Sequence, residues 1–190
     1  MRFRSRSFYS IALAAICAVA QSPQPRRTLD VPYLPTTPEA VTAMLKLAHV
    51  SAADVLYDLG CGDGRIVIAA AKTYGAHAVG VDIDPDRIME ARENARKAGV
   101  ENLVRFEEKD LFQTDIHEAS VVTLFLLSSV NKRLRPKLLQ ELKPGARIVS
   151  NTFLMGDWKP DRELTVGGQP ASADFSRQLY LWIVPFPRAR

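Results

Sequence analysis

Carboxylates and glycines crowd one short stretch of this 190-residue chain, Asp58-Leu59-Gly60-Cys61-Gly62-Asp63-Gly64. Glycines at alternate positions let a backbone turn sharply and approach a ligand closely, because no Cβ stands in the way. The stretch follows a short apolar run, Val55–Leu59, and leads into an alanine-rich segment, so it reads as a turn between a strand and a helix. Asp58 and Asp63 flank that turn, and Asp82 and Asp84 close a second apolar run. A dinucleotide loop places its third glycine three positions after the second, whereas Gly64 follows Gly62 by two and Arg65 stands in the expected place. Two carboxylates beside a pyrophosphate would also repel it, while a ligand with fixed positive charge would gain from them.

S-adenosylmethionine, with its ammonium and sulfonium, has that charge pattern. Asp82 stands 22 positions after Gly60, with Ile83 beside it, where an acid accepts from two ribose hydroxyls. Asp110, in Lys109-Asp110-Leu111-Phe112, follows a third apolar run; it can accept from an adenine amino group while Leu111 packs the ring. The expected cofactor-binding set is therefore Asp58, Gly60, Cys61, Gly62, Gly64, Asp82, Ile83, Asp110 and Leu111.

The elements that must position these residues alternate. Thr37 is an expected N-cap with Pro38 at the first helical position, and Val41, Met44, Leu45 and Ala48 follow at core-facing spacing. Strand Val55–Leu59 leads to helix Arg65–Tyr74, stopped by Gly75; strand Ala78–Val81 leads to a helix begun by Asp84-Pro85 and stopped by Gly99. Ile88, Ala91, Arg92 and Ala95 are expected to share that helix's inner face. Leu103–Phe106 is a third strand, and Ser120–Leu127, apolar without alternation, a fourth buried on both faces. Helix Asn131–Leu142, with Pro136 early in it, and strand Arg147–Ser150 come next. Leu164–Val166 and Arg177–Val184 have no helix between them and read as an antiparallel edge pair. Strand–helix repetition implies right-handed crossovers. The expected fold class is α/β: a three-layer, open, mostly parallel sheet with an antiparallel C-terminal edge pair.

Length and composition agree with one globular domain. Hydrophobic residues are 47% and charged residues 24%, which excludes a disordered or collagen-like chain. The net charge of +4 invites an anionic partner, but residues 1–20 hold Arg2, Arg4 and Arg6 and no acid. The remainder has 22 basic against 21 acidic residues, so charge alone makes no case for nucleic acid. A basic head, an apolar middle at residues 8–20 and the small-residue end Ala18-Val19-Ala20 form the layout of a signal peptide. Thirteen helical residues rise only about 20 Å, short of the roughly 30 Å hydrocarbon core, so the alternative is a short membrane anchor. The leader is expected either to send the chain to the periplasm or cell envelope or, if uncleaved, to hold it at the membrane's cytoplasmic face. Residues 21–36, rich in proline, read as a linker that ends by docking on a domain spanning 37–190. Cys17 falls in the leader and Cys61 in the glycine loop; His49, His77 and His117 have no metal-ligand spacing, so no metal is expected. Asn131-Lys132-Arg133-Leu134-Arg135-Pro136-Lys137 lacks interleaved aromatics and reads as a solvated helix face rather than a nucleic-acid site.

Taken with Gly80-Val81-Asp82-Ile83-Asp84 and Lys109-Asp110-Leu111, the glycine loop resembles the class I, seven-strand S-adenosylmethionine-dependent methyltransferases, over roughly Val31 to Pro187. Enzymes of that class that methylate bases or amides carry an Asn/Asp-Pro-Pro-aromatic run after the fourth strand; here that place reads Leu126-Leu127-Ser128-Ser129. Pro32-Tyr33-Leu34-Pro35, Leu124–Val130, Leu142–Ser150 and Phe153 through Trp158 to Pro160 resemble the ATP synthase c-subunit lysine methyltransferase family. That resemblance implies transfer of a methyl group to a protein lysine, through an apolar channel that strips the amine of its proton by desolvation. Tyr33, Phe125, Ser128, Ser129 and Trp158 are the candidate channel residues. Two other readings stay open: a small-molecule methyltransferase of the same fold, and an exported nucleoside-binding module without catalysis. Nothing in the sequence sets an oligomeric state.

Overall fold

The computed structural model describes residues 34–167 and 178–186; Tyr33, the leader and most of the linker lie outside them. Eleven elements follow in order: α1 (Pro38–Leu47), β1 (Val55–Leu59), α2 (Arg65–Tyr74), β2 (His77–Asp82), α3 (Pro85–Ala98), β3 (Val104–Glu108), β4 (Val121–Leu124), α4 (Ser128–Glu141), β5 (Arg147–Asn151), β6 (Arg162–Thr165) and β7 (Gln178–Ile183). Local chemistry sets several ends. Thr37 accepts from the Ala40 amide ahead of Pro38, Asp84 accepts from Asp86 ahead of Pro85, and Gly75 and Gly99 end α2 and α3 with positive φ. The described strands form one sheet in the order β3-β2-β1-β4-β5-β7-β6, parallel from β3 to β5. β7 then runs antiparallel between β5 and β6, which gives the expected edge pair.

Alternation along the strands divides the core into two layers. Leu56, Ala78, Val121 and Val149 pack with Val41, Met44, Val67, Ala70 and Ala91 of α1, α2 and α3. Their neighbours Tyr57, Val79, Val122 and Ile148 face the other way, with Leu134 and Leu138 of α4. Asp58 and Thr123, two positions beyond Leu56 and Val121, therefore share the α1–α3 side. They are paired in the β1–β4 register.

Three expectations are corrected. The fourth strand stops at Leu124 rather than Leu127, and α4 begins at Ser128, because the Leu127 carbonyl accepts from the Val130 and Asn131 amides and turns the chain into a helix. Pro136 consequently lies inside α4, on its exposed side, where it removes one backbone donor. Arg92 does not join the buried face of α3; its guanidinium reaches out to donate to the Phe106 carbonyl, 2.9 Å away.

Candidate functional site

A cleft opens at the carboxyl ends of β1, β2 and β4, where the strand order reverses direction around β1. Asp58, Gly60, Cys61, Gly62, Asp82, Ile83, Asp110, Leu111 and Phe125 line it.

The floor of the cleft is built by short-range hydrogen bonds. The Val81 carbonyl accepts from the Gly60 and Cys61 amides at 2.8 and 3.0 Å, which pins the turn after β1 to the end of β2. Asp82 secures the same junction: one carboxylate oxygen accepts from the Gly62 amide at 2.9 Å, the other from the Asp84 amide at 3.0 Å. Gly60 has φ +89°, and a Cβ there would stand 2.9 Å from the Leu126 side chain. The loop therefore needs glycine at this position both for its φ and for Leu126 to seat. Cys61 is buried, its thiol pushed up by burial and by the negative charges of Asp58 and Asp82, which makes it a packing group and not a nucleophile. Asp110 spends one oxygen on the Phe112 amide, 2.8 Å away.

Asp58 is the most deeply placed acid. It is 3% exposed, and one of its oxygens accepts from the Thr123 hydroxyl at 2.8 Å. Burial pushes its pKa up to about 7; the Thr123 hydrogen bond acts against that rise, while Asp82 and Asp63 add to it. Asp63 belongs to a different arrangement. Arg65 grips its two oxygens in a fork, Nε to Oδ1 at 2.9 Å and Nη2 to Oδ2 at 2.6 Å. A third donor of Arg65 reaches the Thr36 carbonyl at 2.7 Å and so draws Leu34, Pro35 and Thr36 over the cleft. The charge of Asp63, one of the two acids that flank the turn, is thus matched by Arg65 at the start of α2. Arg87 and Lys109 also line the cleft, with Arg87 held by Glu90 at 2.6 Å.

The remaining candidates separate. Gly64 does not line the cleft; its φ is +79°, and a Cβ there would press on the Phe106 ring and on Ala91, both within 2.9 Å, so it lets α2 pack close to α3. Ser128 and Ser129 are exposed on the first turn of α4 and do not line the cleft. Neither does Trp158, which packs 6.0 Å from the Trp182 ring, accepts from its indole at 2.9 Å and carries Arg135 over its own ring. Tyr33 lies outside the described residues. Thr123, Arg65 and the Phe153 ring, 6.1 Å from Phe125, were not singled out from sequence. Thr123 alone had a usable signal, a hydroxyl in an otherwise apolar strand. Away from the cleft, Asp115, His117 and Glu141 gather within 4.8 Å, but Lys137 and the Ile116 amide already hold Glu141.

A sequence profile of the ANTKMT methyltransferase domain matches residues 58–162, more than half of the chain and the part that carries the cleft. The chain belongs to this methyltransferase family. Among its relatives, a protein-lysine N-methyltransferase of Saccharolobus islandicus (strain REY15A) is 45% identical over 155 residues, 81% of this chain and 94% of that protein. The ATP synthase c-subunit lysine N-methyltransferase of Xenopus laevis is 35% identical over 80% of this chain, which spans 66% of that longer protein. A solved structure described as an RNA methyltransferase from Salinibacter ruber, in complex with S-adenosyl-L-homocysteine, is 51% identical with a TM-score of 0.74, covering 82% of this chain and 98% of that one. The seven-strand sheet and its flanking helices are thus those of a Rossmann-like methyltransferase.

Proposed function

We propose that this methyltransferase uses S-adenosylmethionine to methylate the side-chain amine of a protein lysine. The observation that carries the cofactor reading is the cleft floor: a buried carboxylate with one oxygen left for a ligand, beside acids fixed at the ends of the next two strands. In this reading Asp58 pairs with the ammonium of the amino-acid arm, Gly60 and Gly62 let that arm lie on the backbone, Asp82 accepts from the ribose, and Asp110 and Leu111 hold the adenine. When bound, the cofactor supplies a methyl group on a sulfonium, electrophilic enough for direct displacement by a neutral amine. A free lysine holds its proton up to about pH 10.4, so the chain must lower that value. Phe125, Leu126 and Val130 give the cleft an apolar wall that disfavours an ammonium by desolvation. No dedicated base is then required, and alignment does most of the remaining work.

The names of the Saccharolobus and Xenopus relatives support a lysine acceptor, whereas that of the Salinibacter protein points to RNA. The basic start of α4 does not favour RNA: Arg135 is paired with Asp157 and Arg133 lies over the Phe112 ring. Incubating the protein with methyl-labelled cofactor and, separately, a whole-cell protein extract, total RNA and a metabolite extract tests the reading. Label should enter a protein band, survive ribonuclease and map by mass spectrometry to a lysine Nε; label confined to RNA or to small molecules would overturn it. We further propose that residues 1–20 bring the chain to a membrane or across it; a native N-terminus beginning at Gln21 would show cleavage, an intact Met1 in the membrane fraction an anchor, and an intact Met1 in the soluble fraction would overturn the proposal. Among the described residues no helix is long and apolar enough to cross a membrane.

A further inference from the structure

We propose that Thr123 is a positioning residue for cofactor capture, its hydroxyl aiming the Asp58 carboxylate at the ammonium of the incoming amino-acid arm. The inference rests on the cofactor reading given above. Thr123 is fully buried in β4, between Val122 and Leu124, a place where valine of nearly the same shape would pack without a polar atom to satisfy. Asp58 and Thr123 are direct neighbours in the parallel β1–β4 register and point to the same side of the sheet. The Thr123 hydroxyl has one proton to give, and Asp58 Oδ1 at 2.8 Å is closer than the Tyr57 carbonyl at 3.5 Å. On the other flank of Asp58 the register places Gly80, which has no side chain to offer. Thr123 is thus the side-chain donor to this carboxylate among the described residues.

The consequence is a choice of protonation state. A donor to the carboxylate favours its charged form, against burial and against the negative charges of Asp82 at the end of β2 and Asp63 in the glycine loop. Arg65 already matches Asp63, and the buried Cys61 thiol stays neutral. Without the Thr123 hydroxyl, Asp58 would keep its proton to higher pH, and a neutral acid cannot pair with an ammonium.

Calorimetry of the full chain with S-adenosylhomocysteine, between about pH 5 and 7.5 where the ligand's amine stays charged, tests this. Wild-type affinity should fall as the solution is acidified. Thr123→Val should weaken binding about tenfold near pH 7 and move the acid limb upward by about one pH unit, while Thr123→Ser restores the wild-type profile. Methylthioadenosine, which lacks the amino-acid arm, should bind all three proteins alike. An unmoved acid limb in Thr123→Val, or an equal loss of methylthioadenosine binding, would overturn the role of Thr123 alone. If Asp58→Asn leaves S-adenosylhomocysteine affinity intact, the reading of Asp58 as the ammonium partner falls, and this inference with it.

Discussion

The ends of β1 and β2 and the ends of β4 and β5 meet near one cleft, but they are stabilised in different ways. On the β1–β2 side, the polar groups of the loops are paired: Asp82 serves the Gly62 and Asp84 amides, Asp110 serves Phe112, and Arg65 holds Asp63. On the β4–β5 side, the pairing is incomplete. Asn131, fully buried, donates to the Ser150 hydroxyl and the Phe153 carbonyl, yet its own carbonyl oxygen and the Asn151 amide nitrogen are buried with no partner. Thr152 sits at φ +67°, which side chains with a branched Cβ seldom adopt. The first region is a closed hydrogen-bonded frame, and the second retains unmet polar groups and backbone strain beside the aromatic wall.

The largest effect expected from breaking this frame is on stability. Gly64→Ala adds a Cβ within 2.9 Å of Phe106 and Ala91 at a φ of +79°. The clash and the backbone strain together should cost about 3 kcal/mol in denaturant unfolding. Because Gly64 does not touch the cleft, the fraction that stays folded should still bind S-adenosylhomocysteine normally. Gly64 would become a ligand contact, against this account, if binding were lost while stability held. Asp82→Ala ranks next. It removes the acceptor for two loop amides and, in the cofactor reading proposed above, for the ribose, so calorimetry should show at least a hundredfold weaker binding, about 2.7 kcal/mol.

Asp58 gives a smaller effect with a sign that can be checked. Its folded-state pKa, near 7, lies above the ordinary carboxylate value of about 3.9. Unfolding therefore releases protons between those two values, so its contribution to stability is full below about pH 4 and is lost as pH rises through 7. Asp58→Asn removes the charge and keeps an acceptor for Thr123. At about pH 8 the ligand-free variant should melt above wild type, and at about pH 4 the two should coincide. A variant less stable at pH 8 would mean that the carboxylate is held by more than Thr123.

Legibility in the sequence follows the same division. Strand β1, helix α2 and the caps of α3 could be read because glycines, prolines and capping acids act within a few residues. The glycine loop and the acids at 82 and 110 could be read because a spacing fixes their positions at strand ends. Ser128 and Ser129 could not be placed, because the apolar run Ser120–Leu127 looks like one uninterrupted strand. Only the packing of Leu126 against Gly60 and the capture of the Leu127 carbonyl by α4 end it at Leu124. Trp158 was equally opaque: an aromatic residue after a strand fits a channel or a core, and its choice of Trp182 depends on β7, which enters the sheet 20 residues later. The pairing of Asp63 with Arg65, two positions on, has no signal in the sequence, because it depends on the guanidinium folding back on the loop.

The smallest effect sharpens the comparison most, because it should touch one side of the cleft and spare the other. Phe153 contributes no atom to the cofactor floor, but its ring backs Phe125, which lines the cleft. Its carbonyl is held by Asn131 and Ser150 independently of the ring, so Phe153→Ala leaves that junction in place. Losing one ring of a tilted pair should loosen Phe125 and widen the apolar wall, which weakens alignment of the acceptor amine. The expected result is a KM for the protein acceptor raised several-fold, a loss of about 1 kcal/mol in kcat/KM, with S-adenosylhomocysteine affinity unchanged. Equal losses for both ligands would mean that the β4–β5 side supports the cofactor frame as well, and that the two regions are one mechanical unit.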